Sequence, residues 1–538
     1  MAHCVLIRCF LQPRLFADEP YLQFSQKHPY EVKSTIHTID NSGPALAKSK
    51  SILTYSLTFH TKSCNFTLKI LEKSCNLTPK TPEKSCNFSP KTLEKSCKNM
   101  LKRKIFSKLE KWKEETNNKA LLIKGARQVG KTTIVRQFAK SNYKNFIEIN
   151  FEKTPSAKQA FEGNLDARTI LINLSAMGYG PLEPGETLIF FDEIQSCPQA
   201  RTAIKFLVED GQYDYIESGS LLGINYKDVS SYPVGFEHEL NMYPLDFEEF
   251  LWACNTGEDV IGVLKDCYEK LRPVPEFLHQ QIMQRYRQYL IVGGMPEVVV
   301  TYLSNNDFNK TITNQKDILT GYRNDISKYA GNEKLLVKSV FDAIPSQLSK
   351  QDKRFILASI EKNASRRKYG SPTQWLVDAG MAYYSFNVGA FELPFPGNEN
   401  IRLYKLFFVD NGLMCAMMLD NIQSKVLTGD IFVNEGALAE NYVAGELSKH
   451  GISLNYYDHK SKHELDFVFP EGNKISIIEV KSGKDYKQHT SLDMAQRLFA
   501  DKINRSIVMS GNNLEVSNGV IYLPLYMSMF LQNQSSFI

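Results

Sequence analysis

The sequence predicts an α/β chain. A parallel sheet built around a phosphate-binding loop is expected over residues 100–250, followed by a helical linker, a helix–turn–helix–hairpin region and a second, smaller α/β domain. Three observations predict it. ALLIKGARQVGKTT (residues 120–133) sets a glycine-rich turn between an apolar run and an amphipathic stretch, and ETLIFFDEIQ (186–195) is an apolar run ending in two adjacent carboxylates. Near the C-terminus, HELDFVF (463–469) and ISIIEVKSGK (475–484) read as two strands.

The first 99 residues are a different kind of sequence. They hold 14 Lys/Arg against 7 Asp/Glu and six of the ten cysteines, among them Cys64, Cys75, Cys86 and Cys97. Residues 62–97 repeat KSCNFTLKILE, KSCNLTPKTPE, KSCNFSPKTLE and KSC with a period of 11. Four evenly spaced thiols suggest zinc, but structural zinc sites pair their ligands closely, and the Pro/Lys/Thr-rich background has little to bury. Residues 1–99 are therefore expected to be a disordered repeat extension. Met100 opens an amphipathic helix directly ahead of the first strand and is the expected native start.

The other 439 residues carry a net charge of only −2, out of +5 for the whole chain, so bulk charge calls for no polyanionic partner. At 538 residues and 43% apolar content the chain can form two to four domains. No run reaches the ~18 apolar residues of a membrane helix. Sparse cysteines after residue 99 fit a reduced compartment, and a cytoplasmic protein with no membrane partner is expected.

In residues 100–250, the loop Gly125–Ala126–Arg127–Gln128–Val129–Gly130–Lys131–Thr132 fits GxxxxGK[ST], the Walker A pattern. Gly125 and Gly130 permit the tight turn, so that backbone N–H groups can wrap phosphate. Lys131 is placed to reach the β- and γ-phosphates of ATP, Thr132 to offer its hydroxyl to Mg2+, and Thr133 to open the following helix. Asp192, at the end of the Walker B strand, is expected in the Mg2+ shell, with Glu193 polarising the attacking water. FIEIN (146–150) supplies another strand, and YDYIESGSLL ends in small hydroxyl residues, of which Ser218 or Ser220 is the candidate sensor.

Residues 251–330 read as a helical lid or linker, and MYPLDFEEFLWA and GGMPEVV read as packing, with Trp252 and Met295 buried. Over 331–400, LLVKSVFDAIPSQLSK and RRKYGSPTQWLVDAGMAYYSFNV run helix, turn, helix, hairpin, the order of a winged helix. Two basic clusters there, Lys350/Lys353/Arg354 and Lys362/Arg366/Arg367/Lys368, can dock on DNA or be solvated helix faces.

In residues 401–538, Glu440 on a helix precedes Asp466, Glu479 and Lys481. Alternation along a strand puts Glu479 and Lys481 on one face. Three carboxylates can ligate a second divalent metal while the lysine activates water.

KALLIKGARQVGKTT, LIFFDEIQ, IESGSLLG, MYPLDFEEFLWA, YLIVGGMPEVV, DISKYA, IPSQLSK, NEGALAENYVAGEL and IEVKSG together resemble a group of bacterial and archaeal AAA+ ATP-binding proteins. In that group the ATPase core is followed by a winged-helix region and a C-terminal domain of unknown function. The last segment, with D…ExK at Asp466, Glu479 and Lys481, also resembles the restriction-endonuclease-like core. The resemblance implies an AAA+ ATPase that binds and hydrolyses ATP with Mg2+. Two other functions fit the same residues: an ATP-gated, metal-dependent DNA nuclease, and a non-hydrolysing nucleotide-dependent regulator of a protein partner. A homo-oligomer would need an arginine finger, and Arg201, Arg285, Arg287 and Arg323 are all open candidates.

Overall fold

The computed structural model describes residues 32–37, 54–61, 64–71, 101–115, 119–220, 233–361, 366–418, 426, 435–459 and 463–532. The chain divides into two units, Met1–Pro90 and Lys91–Ile538. In the first, β1 (Val32–His37), β2 (Thr54–Thr61) and β3 (Cys64–Leu71) form an antiparallel sheet in the order β1-β2-β3. These strands fall inside the stretch expected to be disordered from its composition. TYSLTFHT in β2 alternates apolar and polar residues, the period of a half-buried strand, which a composition average does not register. Cys75, Cys86, Cys97 and Met100 lie outside the described residues.

The second unit opens with α1 (Ile105–Glu114), β4 (Ala120–Gly125), α2 (Lys131–Asn142), β5 (Asn145–Asn150), α3 (Ala167–Ala176), β6 (Thr187–Asp192), α4 (Pro198–Asp210), β7 (Asp214–Ser220) and β8 (Glu237–Asn241). The strands make a parallel sheet in the order β5-β6-β7-β4-β8. Its centre is hydrophobic on both faces, as a sheet covered by crossover helices requires. Along β6, Ile189 and Phe191 pack into one layer with Ile149 and Tyr215, while Leu188 and Phe190 pack into the other with Leu121, Ile123 and Ile216. Register brings Asn150 opposite Asp192, Asp192 opposite Ser218, and Gly125 opposite Ser220, so the C-terminal strand ends gather their polar residues at one edge.

Helices follow: α5 (Phe247–Ala253), α6 (Glu258–Glu269), α7 (Glu276–Val292), α8 (Pro296–Asn305), α9 (Phe308–Tyr329), α10 (Lys334–Leu348) and α11 (Arg366–Asp378). Asp246 caps α5 in a reciprocal capping box with Glu249, which fixes where the helix starts. Met295 is buried, but Trp252 is only half-buried, its ring lying beneath the Lys102 ammonium, 4.3 Å from the centroid.

β9 (Ala382–Val388) and β10 (Glu399–Phe408) come next, then α12 (Asn411–Met417), α13 (Glu435–Lys449), β11 (Asn455–His459), β12 (His463–Glu471), β13 (Lys474–Val480), α14 (Thr490–Leu498), β14 (Ile503–Ser510), β15 (Glu515–Ser517) and β16 (Val520–Pro524). These strands build a mixed eight-stranded sheet, β10-β9-β11-β12-β13-β14-β16-β15. The helix–helix–hairpin order expected over 331–400 is present as α10, α11, β9 and β10. The hairpin does not stand free, because β9 pairs with β11 and continues the large sheet. One apolar core joins the helices to this sheet: Phe247 packs edge-on against Tyr289 and Tyr442, and the Phe341 ring lies tilted against Phe408. No helix among the described residues is long and apolar enough to cross a membrane.

Candidate active site

The phosphate loop leaves β4 at Gly125 and enters α2 at Lys131. A Cβ on Gly125 would meet the Met242 carbonyl oxygen at 2.2 Å, so only glycine fits this approach. Gly130 has φ 97°, in the left-handed region that lets the loop turn into the helix, and Gln128 shares that region with φ 66°. Lys131 Nζ donates to the carbonyls of Gly125 (3.0 Å) and Ala126 (2.9 Å). Burial lowers its pKa to about 8, against the pull of Glu193 and Asp192.

Asp192 is buried and fully engaged: it accepts from Thr132 Oγ1 at 3.1 Å, from Asn150 Nδ2 at 2.8 Å and from the Ser218 hydroxyl. Glu193 follows it with a left-handed backbone (φ 54°), which swings its side chain out of the strand and into the cavity beside the loop. Its pKa is raised by burial, partly opposed by the hydrogen bond from Gln195 (2.5 Å). That cavity, of about 610 Å3, is lined by Lys131, Thr132, Thr133 and Glu193 on one side and by Pro296 and Asp325 of the later helices on the other. Ser220 ends β7 opposite Gly125.

Loop residues are also held from outside. Arg127 forms an ion pair with buried Asp325, the Tyr322 hydroxyl donates to the Arg127 carbonyl at 3.3 Å, and Arg103 donates to the Val129 carbonyl at 3.1 Å. The motif alone did not point to Asn150, Gln195, Arg103 or Asp325. Asn150 ends the strand FIEIN and Asp325 opens DISKYA, both visible in the sequence without a partner to give them meaning.

One arginine-finger candidate is removed. Arg201 is buried, bonded to Glu217 at 2.9 Å and to Glu237 at 2.7 Å, and cannot reach another subunit. Arg323 is half-exposed and pairs with Asp342 at 2.8 Å. The first basic cluster of the expected winged helix is likewise partly occupied, with Lys353 on Glu440 and Arg354 on Asp352. Lys362 lies outside the described residues.

The C-terminal residues do not assemble as expected. Glu440 and Asp466 come together, but around lysines: Lys405 Nζ lies 3.8 Å from Glu440, 3.6 Å from Asp466 and 2.5 Å from Glu464, and Lys353 binds Glu440. Glu479 turns to Lys481, 2.6 Å away. No three or more of His, Cys, Asp or Glu form a metal-ligand set among the described residues. Spacing along the chain carries no information about the ammonium groups reaching in from β10 and the loop after α10.

A parallel sheet with its glycine loop at a helix N-terminus and paired carboxylates at the end of β6, with β7 lying between β6 and β4, defines a P-loop ATPase domain, here followed by a mixed-sheet C-terminal part. Comparison agrees: residues 117–251 match the AAA domain family, residues 283–425 a domain of unknown function (DUF8612), and residues 435–527 a second one (DUF4143). Among solved structures, the chain is similar to the Walker-type ATPase PABY2304 of Pyrococcus abyssi, at 16% identity over 60% of this chain and 96% of that one, with a TM-score of 0.37. It is also similar to the Aeropyrum pernix ORC1 protein in complex with DNA (12% identity, 61% and 95% covered, TM-score 0.25). The Thermotoga maritima RuvB Holliday junction branch migration motor matches at 14% identity over 52% of this chain and 89% of that one, with a TM-score of 0.25. Comparison with curated proteins gives no match.

Proposed function

We propose that this protein binds ATP with Mg2+ and hydrolyses it, and that the state of the nucleotide is passed to the helices and mixed sheet that follow. The observation that carries the reading is the placement of Glu193: a desolvated carboxylate next to Asp192, on the wall of the cavity that also holds Lys131 and Thr132. The donor set fits the ion, since Thr132 and Asp192 supply hard oxygen ligands and stand 3.1 Å apart. Mg2+ held by Thr132 and Asp192 would supply charge neutralisation at the phosphates.

The chain's own residues do the rest. Backbone N–H groups from Ala126 to Lys131 surround the phosphates, and Lys131, leaving the loop carbonyls, adds its charge. Glu193, its proton affinity raised by burial, orients water and accepts its proton, while Gln195 fixes the carboxylate's direction. Ser218 and Asn150 hold Asp192 in place, so Ser218 acts as the polar sensor through that carboxylate. A cytoplasmic location and action on a protein partner, DNA or a second copy of the chain fit this reading. The nuclease reading is not advanced, because Glu440 and Asp466 already hold ammonium groups.

The test is ATP turnover by the full chain with Mg2+, beside Glu193→Gln and Lys131→Ala. Nucleotide binding without turnover in Glu193→Gln, and neither in Lys131→Ala, is the expected pattern. Unchanged turnover in Glu193→Gln would remove Glu193 as the proton acceptor, whereas nucleotide binding with no turnover by the wild type would leave the non-hydrolysing regulator as the better reading.

A further inference from the structure

We infer that the carboxylate cluster of the C-terminal sheet is a metal-free ion-pair knot, in which the ammonium groups of Lys405 and Lys353 occupy the place a divalent cation would fill. The inference is independent of the ATPase reading, since it concerns residues outside the nucleotide cavity.

The knot draws on four elements. Lys405 comes from β10, Lys353 from the loop between α10 and α11, Glu440 from α13, and Glu464 and Asp466 from β12. Lys405 is fully buried, and its ammonium also lies 5.1 Å from the centroid of the Tyr456 ring. One Asp466 oxygen faces Lys405, and the other accepts the Val480 N–H at 2.9 Å.

Charge and space both disfavour a metal. By formal charge, three carboxylates already face two ammonium groups, so a divalent ion would turn about −1 into +1 beside the buried Lys405 and Glu440. Mg2+ needs oxygens at about 2.0–2.1 Å and Ca2+ at about 2.3–2.6 Å. To admit either, Lys405 would have to leave, and its side chain is enclosed by packed β-structure with no exposed surface. Glu479, the third expected ligand, is paired with Lys481. The knot instead ties α13 and the α10–α11 loop to the middle of the sheet, the work of a buried network whose members come from separate elements.

The test is Mn2+ binding to the full chain without nucleotide, followed by electron paramagnetic resonance, for the wild type, Asp466→Asn, and Glu479→Gln as the milder variant should Asp466→Asn not fold. Equal Mn2+ binding by the wild type and the variant is expected. A component of Mn2+ binding present in the wild type and lost in the variant overturns the inference. In a second arm, Lys405→Met unmasks the carboxylates and gains a Mn2+ site that the added Asp466→Asn removes. A folded Lys405→Met chain that binds no more Mn2+ than the wild type also overturns it. If Lys405→Met does not fold, the comparison of wild type with Asp466→Asn or Glu479→Gln decides.

Discussion

Arg127, in the middle of the phosphate loop, is ion-paired with Asp325, which lies 198 residues further along, near the end of the 22-residue helix α9. Asp325 is buried, and burial raises its pKa against the pull of Arg127. The pair is therefore a direct mechanical link between the loop that holds phosphate and the helices that carry the C-terminal sheet. Arg127 is 54% exposed, so solvent screening limits the pair to about 0.2–1 kcal/mol. Asp325→Asn is expected to weaken ATP binding about twofold to fivefold. Hydrogen exchange supplies the second readout: nucleotide slows exchange across residues 322–329 in the wild type, and that protection is lost in Asp325→Asn.

Removing the Glu193 carboxylate should separate binding from chemistry. Glu193→Gln keeps the shape and the contact with Gln195 but cannot accept a proton, so turnover is expected to fall by about 10²–10⁴-fold. Equilibrium titration with a fluorescent ATP analogue should give a Kd within about threefold of the wild type. A rise in Kd matching the loss of turnover would move Glu193 from proton transfer to nucleotide binding.

The nucleotide site was more legible in the sequence than the C-terminal cluster, for a physical reason. Gly125 to Thr132 build their turn from contiguous backbone, and Asp192 and Glu193 stand at the end of an unbroken apolar strand, so local pattern is enough. Asn150, Gln195 and Asp325 take their roles from partners brought near by sheet register and helix packing, which no local pattern encodes. Lys405 sits in IRLYKLFF, where it reads as one more strand residue, and Lys353 reads as part of a basic surface cluster. Both turn inward toward Glu440 of α13, and Lys405 also toward Glu464 and Asp466 of β12. The strands between residues 32 and 71 were masked by an average over a long polar stretch.

Arg201 should behave as a structural residue. Glu217 is fully buried, with a pKa raised to about 8 by burial and held down by Arg201. Arg201→Ala leaves that carboxyl without its partner and is expected to cost about 3–5 kcal/mol of stability, read from chemical denaturation. Arg201→Met with Glu217→Leu removes the fully buried carboxyl along with the arginine and should recover part of that loss, the remainder being the mostly buried Glu237 carboxylate left without its partner. Turnover per folded molecule should stay near the wild-type value in the double variant. A trans-acting finger would instead lose turnover in both variants and regain it on mixing with chains that carry the arginine but lack Glu193.

Lys131 predicts how affinity depends on pH. Its pKa in the nucleotide-free protein is lowered to about 8 from 10.5, chiefly by burial. Below pH 8 the ammonium is already charged and ATP affinity should be flat. Above it the free protein holds a neutral amine that must take up a proton to meet the phosphates, so affinity should fall up to about tenfold per pH unit. Calorimetry at pH 9 in two buffers of different ionisation enthalpy should register close to one proton taken up per ATP. Stability without nucleotide runs the other way. Between about 8 and 10.5 the unfolded chain binds more protons at this lysine than the native one, so this group's contribution to stability rises with pH through that window. Lys131→Arg keeps its charge throughout and should bind ATP, at whatever affinity its bulk allows, with no step near pH 8. The same step in Lys131→Arg would assign it to another group.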